Sequence, residues 1–590
     1  MDEEYEYDII FAGGGTAACV AAGRLSQRFP DFKILIIERG RDSLGDPTVE
    51  HPALFMAHLM PDSTTALFYR SKAADDVGGR EVVIPAGGML GGGSAINLSM
   101  YTRAQAFDYD SWETPGWTAQ DMIPLCNQVE TYHADPGLQE LDPGTHGSSG
   151  PIHISDGGFR PESTQVVMDT IAIMGMKELE DINDFQSVGG FMKIPRYVSL
   201  NGKRSDAAHG YINPLRPTSK NLYLLLESTV TRILFDENST PPRASGVEYR
   251  STHNPKGSFH SARARHCVVL SSGALGSPQI LERSGVGSKD LLKRLGIPII
   301  SDLLGVGENY QDHHLVTSSY KTTLCPEETL DSLATGHKNV GEAIATKDPQ
   351  LGSNTIDIAG KIRPNDEEAR SLGPTFYDRW QKDWVPRPNK PMILMNFINA
   401  FVGNPADVDP NTQHLTIGCI SLYPYSRGSI HIANTTGDYD LETGFLEDPV
   451  DVKKQVWGYK RAREIARRLP FSAGEVEATH PRYPIGSSAA IVSSADAEDE
   501  IIYSAEDDGA IDTWIRQTVG TTWHSLGTCA MKPLQDRGVV NERLDVYGTR
   551  GLKVADLSIA PGNIGGNVGN TAFAIGEKAA LILADELDCL

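Results

Sequence analysis

Cationic charge is scarce in this chain: 53 Lys and Arg face 77 Asp and Glu, leaving a formal net charge of −24. A surface of that sign argues against nucleic acid and anionic membranes as partners. Long apolar runs are missing as well; none approaches the roughly 18 residues of a membrane helix. Cysteine is sparse and scattered, with seven residues in 590 and no CxxC pair. That argues against zinc or iron–sulfur ligation, and no metal is expected. Dispersed thiols fit a reducing compartment. The opening MDEEYEYD lacks the basic and apolar regions of a signal peptide. The closing Asp588-Cys589-Leu590 is a poor match to a peroxisomal Ser-Lys-Leu address. An intracellular protein, cytoplasmic rather than peroxisomal, is expected. No internal repeat or low-complexity tract is visible.

What is present points to α/β architecture with two or more domains, given 590 residues at 40 % apolar and 22 % charged composition. Residues 9–38 read IIFAGGGTAACVAAGRLSQRFPDFKILIIE. An apolar run ends in Gly13, Gly14 and Gly15; a helical pattern follows, then a second apolar run closed by Glu38. Strand, tight turn, helix, strand and acid in this order describe a dinucleotide site. Gly13 permits the sharp turn, Gly15 lets the backbone approach a pyrophosphate, and Ala18 is small enough for helix to pack on strand. The helix N-terminus offers free N–H groups to phosphates, with Gly13, Gly15, Thr16 and Ala17 nearest. Glu38 lies at the distance expected of an acid that holds ribose hydroxyls, which favours FAD or NAD over NADP.

A second glycine-dense segment, PAGGMLGGGSAIN (85–97), runs into the apolar-looking Leu98-Ser99-Met100-Tyr101 and reads as a loop pressed on a cofactor. Strands are expected over Asn221–Arg232 and His266–Ser272, and over 413–432 as two strands around a turn at Ser426-Arg427-Gly428. Helices are expected over Lys453–Arg468 and Thr571–Leu587, and a short strand over Gly551–Asp556. The expected organisation is a Rossmann-like nucleotide-binding domain, discontinuous over 1–155, 201–315 and 511–590. A second α+β domain, an antiparallel sheet plus helices, takes 156–200 and 316–510.

Seven segments in this order resemble the glucose–methanol–choline (GMC) oxidoreductase family, and within it the fungal methanol-oxidising alcohol oxidases: GGGTAACVAAGRL, LGGGSAINLSMYTR, GALGSPQILERSGVG, GVGENYQDHH, YPYSRGSIHI, TTWHSLGTCAM and GLKVADLSIAPGNIGGNVGNTAFAIGEKAA. The resemblance covers nearly the whole chain. It implies FAD, a two-domain fold, and oxidation of an alcohol by hydride transfer to flavin. Covalent members attach FAD through a histidine in the glycine loop; Ile96 precedes Asn97 here, which implies noncovalent FAD.

Alcohol oxidation needs a base at the hydroxyl and an electron acceptor at the carbon. His524, between small residues and beside Trp523, is the expected base. The family places His or Asn as a second polar group in the glycine turn before the last helix, and Asn567 stands there. For FAD, the resemblance implies Leu90, Gly91, Gly92, Ser94, Asn97 and Leu98 along the flavin, the Val230 backbone at adenine, and Trp523 and Asp556 at the isoalloxazine end. Asn567 contacts the cofactor too. Leu98, Met100 and Trp523 are expected to line the alcohol pocket. The methanol oxidisers carry an aromatic and then Met after the loop asparagine; Leu98-Ser99 here implies more room, and hence short-to-medium primary alcohols with O2 as acceptor. The C-terminal extension that carries oligomer contacts in those relatives is missing, so a homo-oligomer is left as an open expectation. Three rival readings share these residues: a dehydrogenase using a quinone, a hydroxynitrile-lyase-like enzyme and a noncatalytic FAD-binding protein.

Overall fold

The computed structural model describes residues 6–133, 144–236, 238–492 and 501–589. Its first sheet is built on four parallel neighbours. Glu6–Ala12 pairs on one side with His260–Leu270 and on the other with Ile34–Ile37, which pairs in turn with Leu222–Leu225. Leu552–Val554 adds to the outer side of His260–Leu270, also parallel. Antiparallel strands Arg243–Ser251 and Ser228–Asp236 extend the sheet beyond the start of His260–Leu270. Ile9, Ile10, Phe11, Ile34 and Ile36 are fully buried, as expected of parallel strands covered on both faces.

Helix Thr16–Arg28 and the last helix, Gly569–Leu587, pack against each other in this layer. Their approach depends on Gly576, where an added Cβ would lie 2.6 Å from the Val20 side chain and 2.8 Å from the Ala17 carbonyl. Residues more than 500 positions apart thus close one nucleotide-binding layer.

The second sheet is antiparallel through its centre. Its order runs Ser472–Glu475, His314–Thr322, Gln413–Ser421, Ile393–Ile398, Ile356–Ile362, Gly190–Lys193, with Lys177–Glu178 parallel at the edge. Helix Pro449–Arg467 packs on one face of it. Along Ile393–Ile398 the faces alternate. Ile393, Met395 and Phe397 join the core under that helix, whereas Leu394 and Ile398 join a second core beside the glycine loop.

Several expectations are corrected. The run 221–232 is two strands, broken at Glu227, whose φ of 53° is left-handed. Residues 413–432 do not form a hairpin: Gln413–Ser421 stays in the large sheet, while Ser429–Ile432 pairs with Tyr439–Glu442. The backbone of Tyr310 pairs with Gly428 and ties that small sheet to the first domain. Domain cuts after 315 and after 510 would sever the strand His314–Thr322 and the helix Ala505–Thr518. The strand lies wholly within the second sheet, and the helix starts at a capping box formed by Ser504 and Asp507.

Candidate active site

One cavity of about 1080 Å³ runs between the two layers, from the first glycine turn to the antiparallel sheet. At one end the uncapped N-terminus of helix Thr16–Arg28 opens onto it. Gly13 turns the chain at φ 103°, where a side chain would also meet the Ser271 carbonyl at 2.6 Å. Gly92 stands over Gly15; an added Cβ there would come within 2.8 Å of the Gly15 Cα. The two glycine segments therefore form one cradle of bare backbone, stitched by Gly91 N–H to the Gly14 carbonyl at 2.9 Å.

Glu38 lines the same cavity, and its carboxylate accepts the N–H groups of Gly14 at 2.8 Å and Gly40 at 2.7 Å. Burial raises its pKa, against the pull of those two donors. Val230 lines the cavity from strand Ser228–Asp236. Asp556 also borders it, but its carboxylate is committed to protein donors: Gly273 N–H at 2.9 Å, the Ser277 hydroxyl at 2.6 Å and Ser558 N–H at 2.8 Å. It fixes the start of helix Gly273–Arg283.

Of the loop residues, Gly92, Ser94, Asn97 and Leu98 border the cavity, as do Met100 and Trp523. Leu90 and Gly91 do not. Leu90 is fully buried behind the wall, 2.9 Å from where a Cβ on Gly14 would lie. Ser99 is turned away as well; it is fully buried at φ 55° and takes no part in the lining. The substitution of a hydroxyl at 99 therefore adds nothing to the pocket, and Leu98 alone shapes that wall.

At the other end of the cavity His524 faces Asn567. The backbone N–H of His524 donates to Asp312 at 3.0 Å, and Thr521 and Tyr310 hold the same carboxylate. The imidazole Nδ1 lies 2.8 Å from Nδ1 of His313, whose Nε2 lies 3.0 Å from the carbonyl of Ile564. A carbonyl can only accept, so His313 Nε2 carries hydrogen and its Nδ1 accepts. His524 Nδ1 must then be the donor, which leaves Nε2 as a lone pair. Burial pushes the His524 pKa down to about 3. Burial, with the facing His524, holds His313 well below the usual histidine range. Both rings are neutral at rest.

Asn567 is presented by the glycine turn ahead of the last helix. Its N–H donates to the Thr102 hydroxyl at 2.8 Å, and the neighbouring Gly565 N–H donates to Asp108 at 2.7 Å. Its side-chain Oδ1 is buried with no partner among the described residues. An acceptor left unpaired costs about 1–3 kcal/mol, and that cost is removed when a ligand binds it. Asp312, His313, Thr102 and Asp108 were assigned no role from sequence. The only signal was the QDHH run itself, since their contacts span 200 residues or more. The rest of this end is mostly apolar, with Leu315, Ile398, Val402 and Ile420 beside Thr317 and Asn396, and Phe55 and Met56 from the short helix Pro52–Leu59.

A Rossmann-type cradle opening into a largely apolar pocket that a neutral imidazole borders is the arrangement of a flavin-dependent oxidoreductase. Residues 7–315 and 424–576 match the two family models described as GMC oxidoreductase. Alcohol oxidases of Candida boidinii and Pichia angusta are each 33 % identical to the chain, over 99 % of it and 95 % of their own length. Among solved structures, formate oxidase superposes with a TM-score of 0.83 at 21 % identity, over 99 % of both chains. A fungal aryl-alcohol oxidase superposes at 0.78 and 23 %, over 98 % of this chain and 99 % of that one. The chain belongs to the GMC oxidoreductase family, and FAD is its cofactor.

Among the described residues no group of three or more His, Cys, Asp or Glu could hold a metal ion, and no helix is long and apolar enough to cross a membrane.

Proposed function

We propose that the protein oxidises short-to-medium primary alcohols to aldehydes and passes the electrons to O2, giving H2O2. The observation that carries this reading is the Nε2 lone pair of His524, on a largely apolar cavity that the unpaired Asn567 Oδ1 also borders. His524 Nε2 takes the hydroxyl proton. The Asn567 amide holds the same oxygen, so base and positioning group act on one atom. FAD supplies the two-electron acceptor for the hydrogen that leaves carbon. The helix start at Thr16, the Gly92 crossing and Glu38 would hold it; Ile96 in place of a histidine leaves it noncovalent. As His524 becomes imidazolium, the lone pair of His313 Nδ1 stabilises it, without a carboxylate that would protonate it at rest.

The relatives support the alcohol class, and the apolar lining supports an unbranched carbon tail. Leu98 leaves room that an aromatic would fill, so methanol is a poorer substrate than its longer homologues. The test is anaerobic bleaching of the flavin by 1-alkanols of one to eight carbons, with H2O2 yield measured in air. Bleaching that rises from methanol toward mid-length alcohols, with one H2O2 per aldehyde, is expected. No bleaching by any alcohol overturns the reading; bleaching without H2O2 transfers it to a different electron acceptor.

A further inference from the structure

A second cavity, of about 290 Å³, adjoins the catalytic turn on the protein's outer side. Gln311 and Asn563 line it; His313, two residues past Gln311, and Ile564, next to Asn563, make the bond that orients His524. Its other walls include Lys390, Arg427, Tyr423 and Tyr425.

The charges are unusual. Lysines elsewhere in the interior have partners: Lys454 holds Asp451, and Lys553 holds Asp545. Lys390 forms no ion pair and its ammonium no hydrogen bond among the described residues; it lies 4.6 Å from the ring centres of both Trp384 and Tyr423. Arg427 has no carboxylate partner either, its guanidinium donating to the carbonyls of Pro424 and Ser426 at 2.6 and 2.9 Å. With the exposed Arg387, which also lines it, the cavity carries three cations without an ion pair among the described residues, unexpected in a chain with a net charge of −24. Asp383 borders the cavity too, but it accepts the Tyr425 hydroxyl and pairs with none of these cations.

Two buried amide atoms add polar demand. Gln311 Nε2 reaches the Asn309 side chain and the Pro561 carbonyl at 3.3 Å each, leaving Oε1 without a partner. Asn563 Oδ1 accepts Ile564 N–H at 3.0 Å, leaving Nδ2 without one. Unsatisfied groups of this kind in a native fold call for a ligand or an ordered water. Burial, then the nearby Lys454 ammonium, push the Lys390 pKa down to about 8, a shift that a bound anion offsets.

We propose that this cavity is a binding site for a small monocarboxylate, its charge held between Lys390 and Arg427 and its carbon tail against the tyrosine rings. The aromatic surface favours a carbon-bearing ligand over phosphate or chloride.

The holoenzyme tests this directly. Lysine acetylation by an active ester is followed by peptide mass spectrometry while propionate replaces chloride at constant ionic strength. Propionate is expected to slow modification of Lys390 saturably, at least fivefold, and to leave the exposed Lys347 unchanged. The neutral propionamide is expected to have no effect. In Arg427→Gln, with flavin absorbance intact, half-protection is expected to need at least tenfold more propionate. Equal protection by chloride or propionamide overturns the proposal, as does stronger protection by inorganic phosphate or an Arg427→Gln variant that protects like the parent.

Discussion

The Nδ1 atoms of His313 and His524 lie 2.8 Å apart, their rings nearly perpendicular at 89°. This one contact decides which nitrogen of His524 is free. His313 is fixed by the Ile564 carbonyl, and Ile564 belongs to the turn that presents Asn567. Base and positioning amide are thus held to a common backbone reference. Replacing His313 by Leu leaves the His524 N–H without an acceptor; kcat/KM is expected to fall about 10²- to 10³-fold with FAD content unchanged. His313→Gln, which can still accept at this position, should recover much of the loss. Equal activity of Leu and Gln variants would remove His313 from the positioning role.

The pH dependence of flavin reduction follows from a base that is neutral at rest. The His524 pKa of about 3 lies below the ordinary histidine value, so the base stays deprotonated as pH falls through 6.5. The kcat/KM profile is expected to be flat from pH 6 to 9, with its acid limb below pH 5. An acid limb centred near 6.5 would show that the imidazole is solvated in the working enzyme.

Leu98 borders the cavity. Leu98→Phe narrows the cavity, and the ratio of methanol to hexanol kcat/KM should rise about tenfold, in line with the 1–3 kcal/mol that a methylene-sized change commands in an apolar pocket. An unchanged chain-length profile would place the tail along another wall.

His431 links the small sheet to the first domain. Its Nδ1 lies 2.7 Å from buried Glu282 and its Nε2 3.4 Å from Glu308. Burial opposes its charge, but the two carboxylates outweigh burial and raise its pKa to about 9. Folding therefore takes up a proton. The stabilisation is complete below pH 6.5 and is lost as pH rises through 9, at most about 3 kcal/mol. Thermal denaturation of His431→Phe should show a weaker decline between pH 6.5 and 9 than the parent; parallel curves would dismiss the linkage.

Much of the nucleotide half was legible because its signals are local. Gly13, the helix behind it and Glu38 lie within 30 residues, and each has a fixed backbone or charge task. Leu90 and Gly91 do not border the cavity; a dense run of glycines marks a close approach without saying which side of the loop faces the ligand. The hairpin expected over 413–432 failed because turn chemistry at Ser426-Arg427-Gly428 is the same whether the flanking strands pair with each other or with distant partners.

The chain's own sequence was enough to specify the cofactor cradle and its FAD, and it singled out His524 and Asn567, which the fold brings to one cavity. Those depend on residue type and short spacing. Only the folded molecule decided the tautomer of His524, the part taken by His313 and Asp312, and the face that Ser99 turns inward. These are set by contacts between segments hundreds of residues apart, where hydrogen-bond direction and packing, not composition, select the outcome.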